Sequence, residues 1–477
     1  MPKALVLAGT HSGCGKTSAT LGLLRALRRR GLRMQPFKAG PDFIDPGLHA
    51  AAAGTPSHNL DTWMQPQDAL RSLFARHARG ADVVVVEGVM GLFDGRSGAD
   101  EAGSTAHLAK LLGLPALLVV DAKSQARSVA ALAQGFARFD PGLRLAGVIF
   151  NRVGSARHEA ILREAMDLVP GVSVLGCLRR SQAVHLPSRH LGLVTAQDAA
   201  CEAEGCAAGL EATLEALADW VEQGVDISTL LDALPDLDLS AFLADEPAPV
   251  PRAAARSDVR IGVARDRAFC FLYEENLRLL AQAGAEAVFF SPLSDAALPE
   301  ELAGLYLPGG YPELSGRELS ANASMRASVR AFCAAGKPVW AECGGYMYLL
   351  EELLDGDGVA HALCGALPGR AVLRRKRAAL GYREARTLAA GPLGPAGTVL
   401  RGHEFHYSEY EGGAGEAGQA AFALTASDGT EALDGQASGN IVGGYFHAHL
   451  ASNPQAAQAF VAACRSVAGQ GLPGFVG

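Results

Sequence analysis

Two stretches of this chain carry residue types and spacings able to do covalent chemistry. The first is Gly9-Thr10-His11-Ser12-Gly13-Cys14-Gly15-Lys16-Thr17. Its glycines let backbone N–H groups face an anion, and a helix beginning beyond them adds its positive dipole end. Lys16 is then placed to reach the β/γ-phosphates of a nucleotide, and the Thr17 hydroxyl to sit on Mg²⁺. Gly13, Gly15, Lys16 and Thr17 are therefore the expected binding residues for ATP, with Thr17 also a metal ligand. The spacing departs from the common pattern: Thr10 stands where a glycine is usual, and the glycine lies one earlier, at Gly9. Gly-Lys-Thr in this setting favours a phosphate loop over an ordinary Gly-rich strand-to-helix turn.

The second stretch is Ala341-Glu342-Cys343-Gly344-Gly345, after Lys337-Pro338-Val339-Trp340. It reads as strand, tight turn, helix, with Cys343 at the apex. Small neighbours suit a strained backbone that approaches a helix closely. A helix dipole would lower the thiol pKa and favour a thiolate nucleophile. A nucleophilic cysteine needs a general base, and Gly443-Gly444-Tyr445-Phe446-His447-Ala448-His449 supplies His447, with His449 the weaker candidate. Gly309-Gly310 could present N–H groups as an oxyanion hole. The stretch Arg401-Gly402-His403-Glu404-Phe405-His406-Tyr407 is either a solvated loop or the wall of an interface or active site.

Carboxylates accompany the phosphate loop. Glu87 ends the strongest apolar run of the chain, 81–86, and leads into Gly88-Val89-Met90-Gly91-Leu92-Phe93-Asp94-Gly95. An acid at such a strand end is the usual second Mg²⁺ contact. Burying it unpaired is costly, so a metal or cationic partner is expected beside it. Asp42 and Asp45, in Gly40-Pro41-Asp42-Phe43-Ile44-Asp45-Pro46, either bind Mg²⁺ or substrate or are turn-forming residues beside proline. Asp94 is a further candidate. Asn151 is either a base-reading residue or a plain turn asparagine.

These residues need elements to hold them. Stretches at 4–8, 34–38, 81–86, 115–120, 145–150 and 172–176 read as strands with helical pattern between them, the first helix over 18–30. That alternation predicts a parallel sheet with crossover helices. The residues 187–193 read as a loop. A Pro- and Ala-rich stretch at 235–258 marks the best boundary. Strand pattern restarts at 259–264, followed by a helix over 273–283, strands near 287–290 and 305–307, and a helix over 346–354. The fold class is thus α/β in two domains, 1–234 and 259–477, joined by a linker, 235–258.

The chain's 477 residues exceed one typical core. Hydrophobic residues make up 49% and charged residues 19%, as in a well-packed enzyme. A net charge of −8 argues against a nucleic-acid partner. No apolar run approaches the ~18 residues a membrane helix needs, and no signal peptide is evident, so a reducing cytoplasm is expected. The cysteines lack paired metal-type spacing, and Cys201 and Cys206 read as packing residues.

Taken together, the chain resembles the cobyrinate a,c-diamide synthase family of cobalamin biosynthesis. The resemblance rests on the stretches 9–17, 38–45, 87–95, Leu307-Pro308-Gly309-Gly310-Tyr311-Pro312-Glu313, 342–349 and 401–408. The first half is similar to dethiobiotin synthetase, which shares the Gly9-Thr10 form of the loop. The second half is similar to a class I glutamine amidotransferase. The resemblance implies ATP- and Mg²⁺-dependent amidation of two carboxylates on a corrinoid acid, with L-glutamine as nitrogen source and room for a homodimer. It matches Cys343 to the nucleophile and His447 to its base. Lys16, Thr17, Asp42, Asp45, Glu87 and Asp94 match nucleotide, metal and carboxylate-site positions. Many class I amidotransferases carry Glu two residues after the base, where this chain has His449. Rival readings are a hydrogenobyrinate or nickel-sirohydrochlorin a,c-diamide synthase, cobyric acid synthase, and a partition-type switch ATPase. The last would want a lysine at His11 and has no use for Cys343.

Overall fold

The computed structural model describes residues 1–181, 184, 206–243, 259–412 and 419–468. The loop expected at 187–193 and Cys201 lie outside the described residues. The chain divides into two compact units, Met1–Pro247 and Ala248–Gly477.

In the first unit β1 (Lys3–Gly9), β2 (Met34–Ala39), β3 (His58–Leu60), β4 (Val83–Glu87), β5 (Ala116–Asp121), β6 (Leu145–Val153) and β7 (Ser173–Arg179) form one sheet, in the order β3-β2-β4-β1-β5-β6-β7. Every pairing in it is parallel. Parallel strands are covered on both faces, so they need continuous apolar runs rather than alternation. All five residues of β4, Val-Val-Val-Val-Glu, are buried. Each such valine contributes roughly 1.5–3 kcal/mol relative to exposure. β3 had no sequence signal, because His58-Asn59-Leu60 is too short and too polar to show a period.

The chain runs from β1 to β2 and β3, returns to place β4 beside β1, and then crosses to β5, β6 and β7 on the other side of β1, so a crevice opens at the carboxyl ends of β1 and its neighbours. The loop after β1 ends at α1 (Lys16–Arg29), and Gly15 at its N-cap has φ +99°. The helix Cys206–Gly224 lies against α1, where a Cβ on Gly22 would stand 2.5 Å from Leu217 O. Arg25 and Arg29 on α1 pair with Glu215 of that helix. Part of the expected linker is not a free connection. Leu237 donates its N–H to Pro2 O at 2.9 Å and joins the first core, and the Phe242 ring packs 5.7 Å from that of Phe74.

In the second unit β8 (Val259–Ala264), β9 (Ala285–Phe290), β10 (Gly304–Leu307) and β11 (Val339–Glu342) join the strands Gln436–Ser438 and Ile441–Gly444. The order is Gln436–Ser438, Ile441–Gly444, β11, β10, β8, β9, and only the first pairing is antiparallel. Ile441–Gly444 runs beside β11 with Gly444 opposite Glu342, so the residues that follow both strands emerge at one end of the sheet. The helix expected over 346–354 is Gly344–Leu349, and 352–354 form a strand. Leu350 is extended at ψ 174°, and the apolar run continues as core, with Leu353 buried. A five-stranded antiparallel sheet includes Val399–His406 and the short strand His447–Ala448.

Candidate active sites

In the first unit the phosphate-loop residues are held by the end of β6. Asn151 Nδ2 donates to Cys14 O at 2.8 Å, and Arg152 Nη2 donates to Gly13 O at 2.9 Å. A Cβ on Gly15 would stand 2.0 Å from Asn151 Nδ2, so this position needs glycine both for its φ and for the approach. Asn151 is thus a brace for the loop rather than a plain turn residue. Lys16 Nζ donates to Met90 O and, at 3.3 Å, to His11 O. Burial lowers its pKa.

Beneath the loop lies a buried charge cluster. Thr17 Oγ1 donates to Glu87 Oε1 at 2.7 Å. Lys38 Nζ donates to Asp45 Oδ2, to Glu87 Oε1 at 2.9 Å and to Gly88 O at 3.2 Å, with Asp42 Oδ2 4.0 Å away. His49 Nε2 stands 2.6 Å from Glu87 Oε2, and its Nδ1 is 3.2 Å from Ser57 Oγ. The cationic partner expected for Glu87 is therefore Lys38. Burial works against both charges, but the Asp45, Glu87 and Asp42 carboxylates outweigh it and raise the Lys38 pKa. Lys38, His49 and Thr17 hold Glu87 well below the usual carboxylate range despite its burial. Burial and then Asp42 push Asp45 up, against the pull of Lys38.

Gly13, Gly15, Lys16, Thr17, Asp42, Asp45 and Glu87 all line one open cleft of about 1410 Å³. Asp42 also accepts the Ile44 N–H at 2.8 Å, so it has the turn role as well as a face on the cleft. Asp94 does not reach the cleft. It is exposed, and Oδ2 accepts the Gly91 N–H at 2.8 Å, which closes the turn after Met90. Leu92 N in turn donates to Gly9 O at 2.8 Å, pinning that turn to the start of the phosphate loop.

In the second unit Cys343 sits at φ +44°, ψ −104°, with its N–H donating to Gly444 O at 2.7 Å. A Cβ on Gly345 would stand 2.0 Å from Leu307 O, and one on Gly344 3.0 Å from Gly310 N. These are the close approaches that the small neighbours permit. Gly309 separates nucleophile and base: a Cβ there would meet His447 Cε1 at 2.3 Å and Cys343 Cβ at 3.4 Å.

The His447 backbone is clamped on either side. Glu342 Oε1 accepts the Ala448 N–H at 2.7 Å, and Oε2 accepts the Tyr306 hydroxyl at 2.8 Å. Asp434 accepts the N–H groups of Tyr445 at 3.0 Å and Phe446 at 3.1 Å. Burial pushes Glu342 up to about 8 and Asp434 up to about 6. The His403 ring stacks on His447 at 5.0 Å, and Tyr273 Oη is 3.2 Å from His403 Nδ1. The stretch 401–407 is therefore a wall of this site, with Gly402, His403 and Glu404 buried. His449 is buried, and its Nδ1 accepts the Ala451 N–H at 3.3 Å, capping the turn Leu450–Ser452.

Electrostatics overturn one expectation. Burial, and next to it the charge of Glu313, pushes the Cys343 thiol well up. Burial, then His403 and His406, pushes His447 well down. The helix after Cys343 has six residues, and desolvation outweighs its dipole. The resting pair is a neutral thiol and a neutral imidazole.

Comparison with known proteins now decides the family. Residues 5–194 match the CobQ/CobB/MinD/ParA nucleotide binding domain, and residues 260–455 the CobB/CobQ-like glutamine amidotransferase domain. The chain is 47% identical over 469 residues to a cobyrinate a,c-diamide synthase of Syntrophotalea carbinolica, covering 97% of this chain and 98% of that protein. It is 44% identical over 491 residues to a hydrogenobyrinate a,c-diamide synthase of Streptomyces coelicolor, covering 97% of each. It is 41% identical over 467 residues to the cobyrinate a,c-diamide synthase of Salmonella typhimurium, covering 97% of this chain and 98% of that protein. The chain belongs to the cobyrinate/hydrogenobyrinate a,c-diamide synthase family.

Within this family frame, sequence reasoning passed over Lys38, His49, Glu342 and Asp434 as site residues. Lys38 had a signal, a lysine in a buried strand, and it proves to be the register partner of Glu87. The others stand in no local pattern that points to their partners: His49 pairs with Glu87 38 residues away, Glu342 with Ala448 106 away, and Asp434 with Tyr445 and Phe446 11 and 12 away. Among the described residues no helix is long and apolar enough to cross a membrane.

Proposed function

We propose that this chain is a glutamine-hydrolysing ligase that uses ATP to amidate the a and c carboxylates of cobyrinate. Residues 1–234 activate the carboxylate and 259–477 supply ammonia. One observation supports this above the rest: a phosphate cradle over a buried Lys-carboxylate cluster and a strained cysteine beside a buried histidine occur on one chain of this family. The cleft of about 1410 Å³ exceeds the 300–1,000 Å³ of a typical single-ligand site, which leaves room for a nucleotide and a second substrate.

A carboxylate is a poor electrophile toward ammonia. Transfer of the γ-phosphoryl group to it gives an acyl phosphate and ADP. Lys16 and the backbone N–H groups at Gly13 and Gly15 stabilise charge during that transfer. Thr17 and Glu87, 2.7 Å apart at the loop, with Asp42 nearby, are the hard oxygen donors that fit Mg²⁺, which keeps waters and takes few protein ligands. Bound there, Mg²⁺ would neutralise phosphate charge. Lys38 holds Asp45 and Glu87 in place without it.

At the second site neutral His447 takes the thiol proton as Cys343 Sγ attacks the glutamine carboxamide carbon. The C–N bond breaks, the nitrogen leaves as ammonia with that proton, and water then releases glutamate from the thioester. Ammonia attacks the acyl phosphate, forming the amide and expelling phosphate. Mass spectrometry of products from a panel of cobalt-containing and metal-free corrinoid acids, incubated with ATP and glutamine, tests this reading. Two amidations per ring are expected, and a panel with no amidated product refutes it.

A further inference from the structure

The loop after β10 runs through Gly309, Gly310 and Tyr311 into a short turn, Pro312–Leu314. This turn packs on the cysteine elbow, where a Cβ on Gly344 would stand 2.9 Å from Pro312 Cδ. Glu313 lies in the turn. The residue is partly accessible, yet its Oε2 is closed to solvent and has no hydrogen-bond partner among the described residues. No described lysine or arginine pairs with it, only its own backbone N–H and the His406 ring act on its charge, and the mechanism above gives it no task. A carboxylate so placed is costly unless something cationic joins it.

We propose that Glu313 receives the α-ammonium of the glutamine whose side-chain amide Cys343 attacks. This rests on the glutaminase reading and adds the group that selects the amino acid. The α-ammonium is the one cationic group of glutamine, and it sits four bonds from the carboxamide carbon, a reach of about 5 Å. A binding group for it must therefore lie on a segment touching the nucleophile turn, as Pro312–Leu314 does. Burial pushes the free Glu313 carboxyl up to about 7, and its charge is second only to burial in holding the Cys343 thiol protonated. An ammonium ion against Glu313 cancels that charge, so glutamine itself eases formation of the thiolate. An amide without the ammonium leaves it in place.

The test compares L-glutamine with 4-carbamoylbutanoate, the same molecule without its amino group. Wild-type protein should favour L-glutamine in kcat/KM by on the order of 10²-fold. Glu313→Gln should lose most of that preference, with L-glutamine turnover falling by on the order of 10²-fold while 4-carbamoylbutanoate turnover holds or rises, because the variant also removes the charge that opposes the thiolate. Glu313→Asp should recover part of the preference. Amidation driven by ammonium should stay at the wild-type rate in both variants. If both amides lose activity equally in Glu313→Gln, Glu313 is a structural residue and the assignment falls. Equal use of the two amides by the wild type also overturns it, whether or not the variant folds. Wild-type protein that works with ammonium and with neither amide refutes the glutaminase reading itself.

Discussion

Gly309→Ala is the sharpest probe of the second site, because it adds one methyl group and removes nothing. The Gly309 backbone is outside the left-handed region, so alanine suits its conformation and only the contact matters. That methyl would stand 2.3 Å from His447 Cε1. The ring must retreat by about 1 Å to restore ordinary van der Waals contact. It has little freedom to do so: His447 is buried, His403 stacks on it at 5.0 Å, and its strand is tied to Glu342. A shift of about 1 Å at a proton-transfer pair costs on the order of 10²-fold, or about 2.7 kcal/mol of transition-state stabilisation. Overpacking should also cost about 1–3 kcal/mol of stability in this unit. The assay is kcat/KM for glutamine hydrolysis, beside amidation driven by ammonium, which uses neither residue. We expect the first to fall and the second to persist. A folded Gly309→Ala protein with wild-type glutamine turnover would refute the idea that His447 must stand against Cys343.

Lys16→Ala should abolish amidation from glutamine and from ammonium alike, on the order of 10²-fold or more, because it acts on phosphoryl transfer common to both; product mass spectrometry with each nitrogen source checks this. Glu87→Gln should weaken ATP turnover and its Mg²⁺ dependence while glutaminase activity remains, since it removes the charge that Lys38, Thr17 and His49 share; unaltered Mg²⁺ dependence would make Glu87 structural only. Cys343→Ser should lose glutamine use by orders of magnitude and keep ammonium use at raised pH, as the hydroxyl is a far weaker acid of nearly the same size. Glu342 has a folded pKa of about 8 against an ordinary 4.5. Its contribution to stability is therefore full below pH 4.5 and is lost as pH rises through 8, with a slope of about 1 kcal/mol per pH unit in that window. Glu342→Gln should flatten this part of the unfolding profile, and denaturant titrations from pH 5 to 8 read it.

Much of the fold was written in local pattern. Buried parallel strands favour continuous apolar runs, so β1, β4, β5, β6 and β7 were visible as such, whereas β2 carries Gln35 and Lys38 buried within it. A glycine-rich turn between such a run and a helix has few uses, so Lys16, Thr17 and Cys343 could be singled out by their immediate neighbours. Where local preference and packing compete, the sequence misled. The run after Gly344 reads as one long helix, but the core takes Leu353 on a strand. Asp94, a candidate by its place after Glu87, closes the turn whose Met90 carbonyl accepts from Lys16 and whose Leu92 N–H donates to Gly9.

What sequence determined on its own was the identity of the reactive groups and the two α/β units that carry them. Tertiary structure decided how those groups are tuned. Lys38 meets Glu87 because β2 and β4 are neighbours in the sheet, although 49 residues separate the two side chains along the chain. His447 and Cys343 face one glycine, Gly309, because Ile441–Gly444 lies beside β11. Charge state followed the same logic. A helix start suggested a lowered thiol pKa, yet burial raised it, because desolvation depends on everything packed around a group and not on its neighbours in sequence.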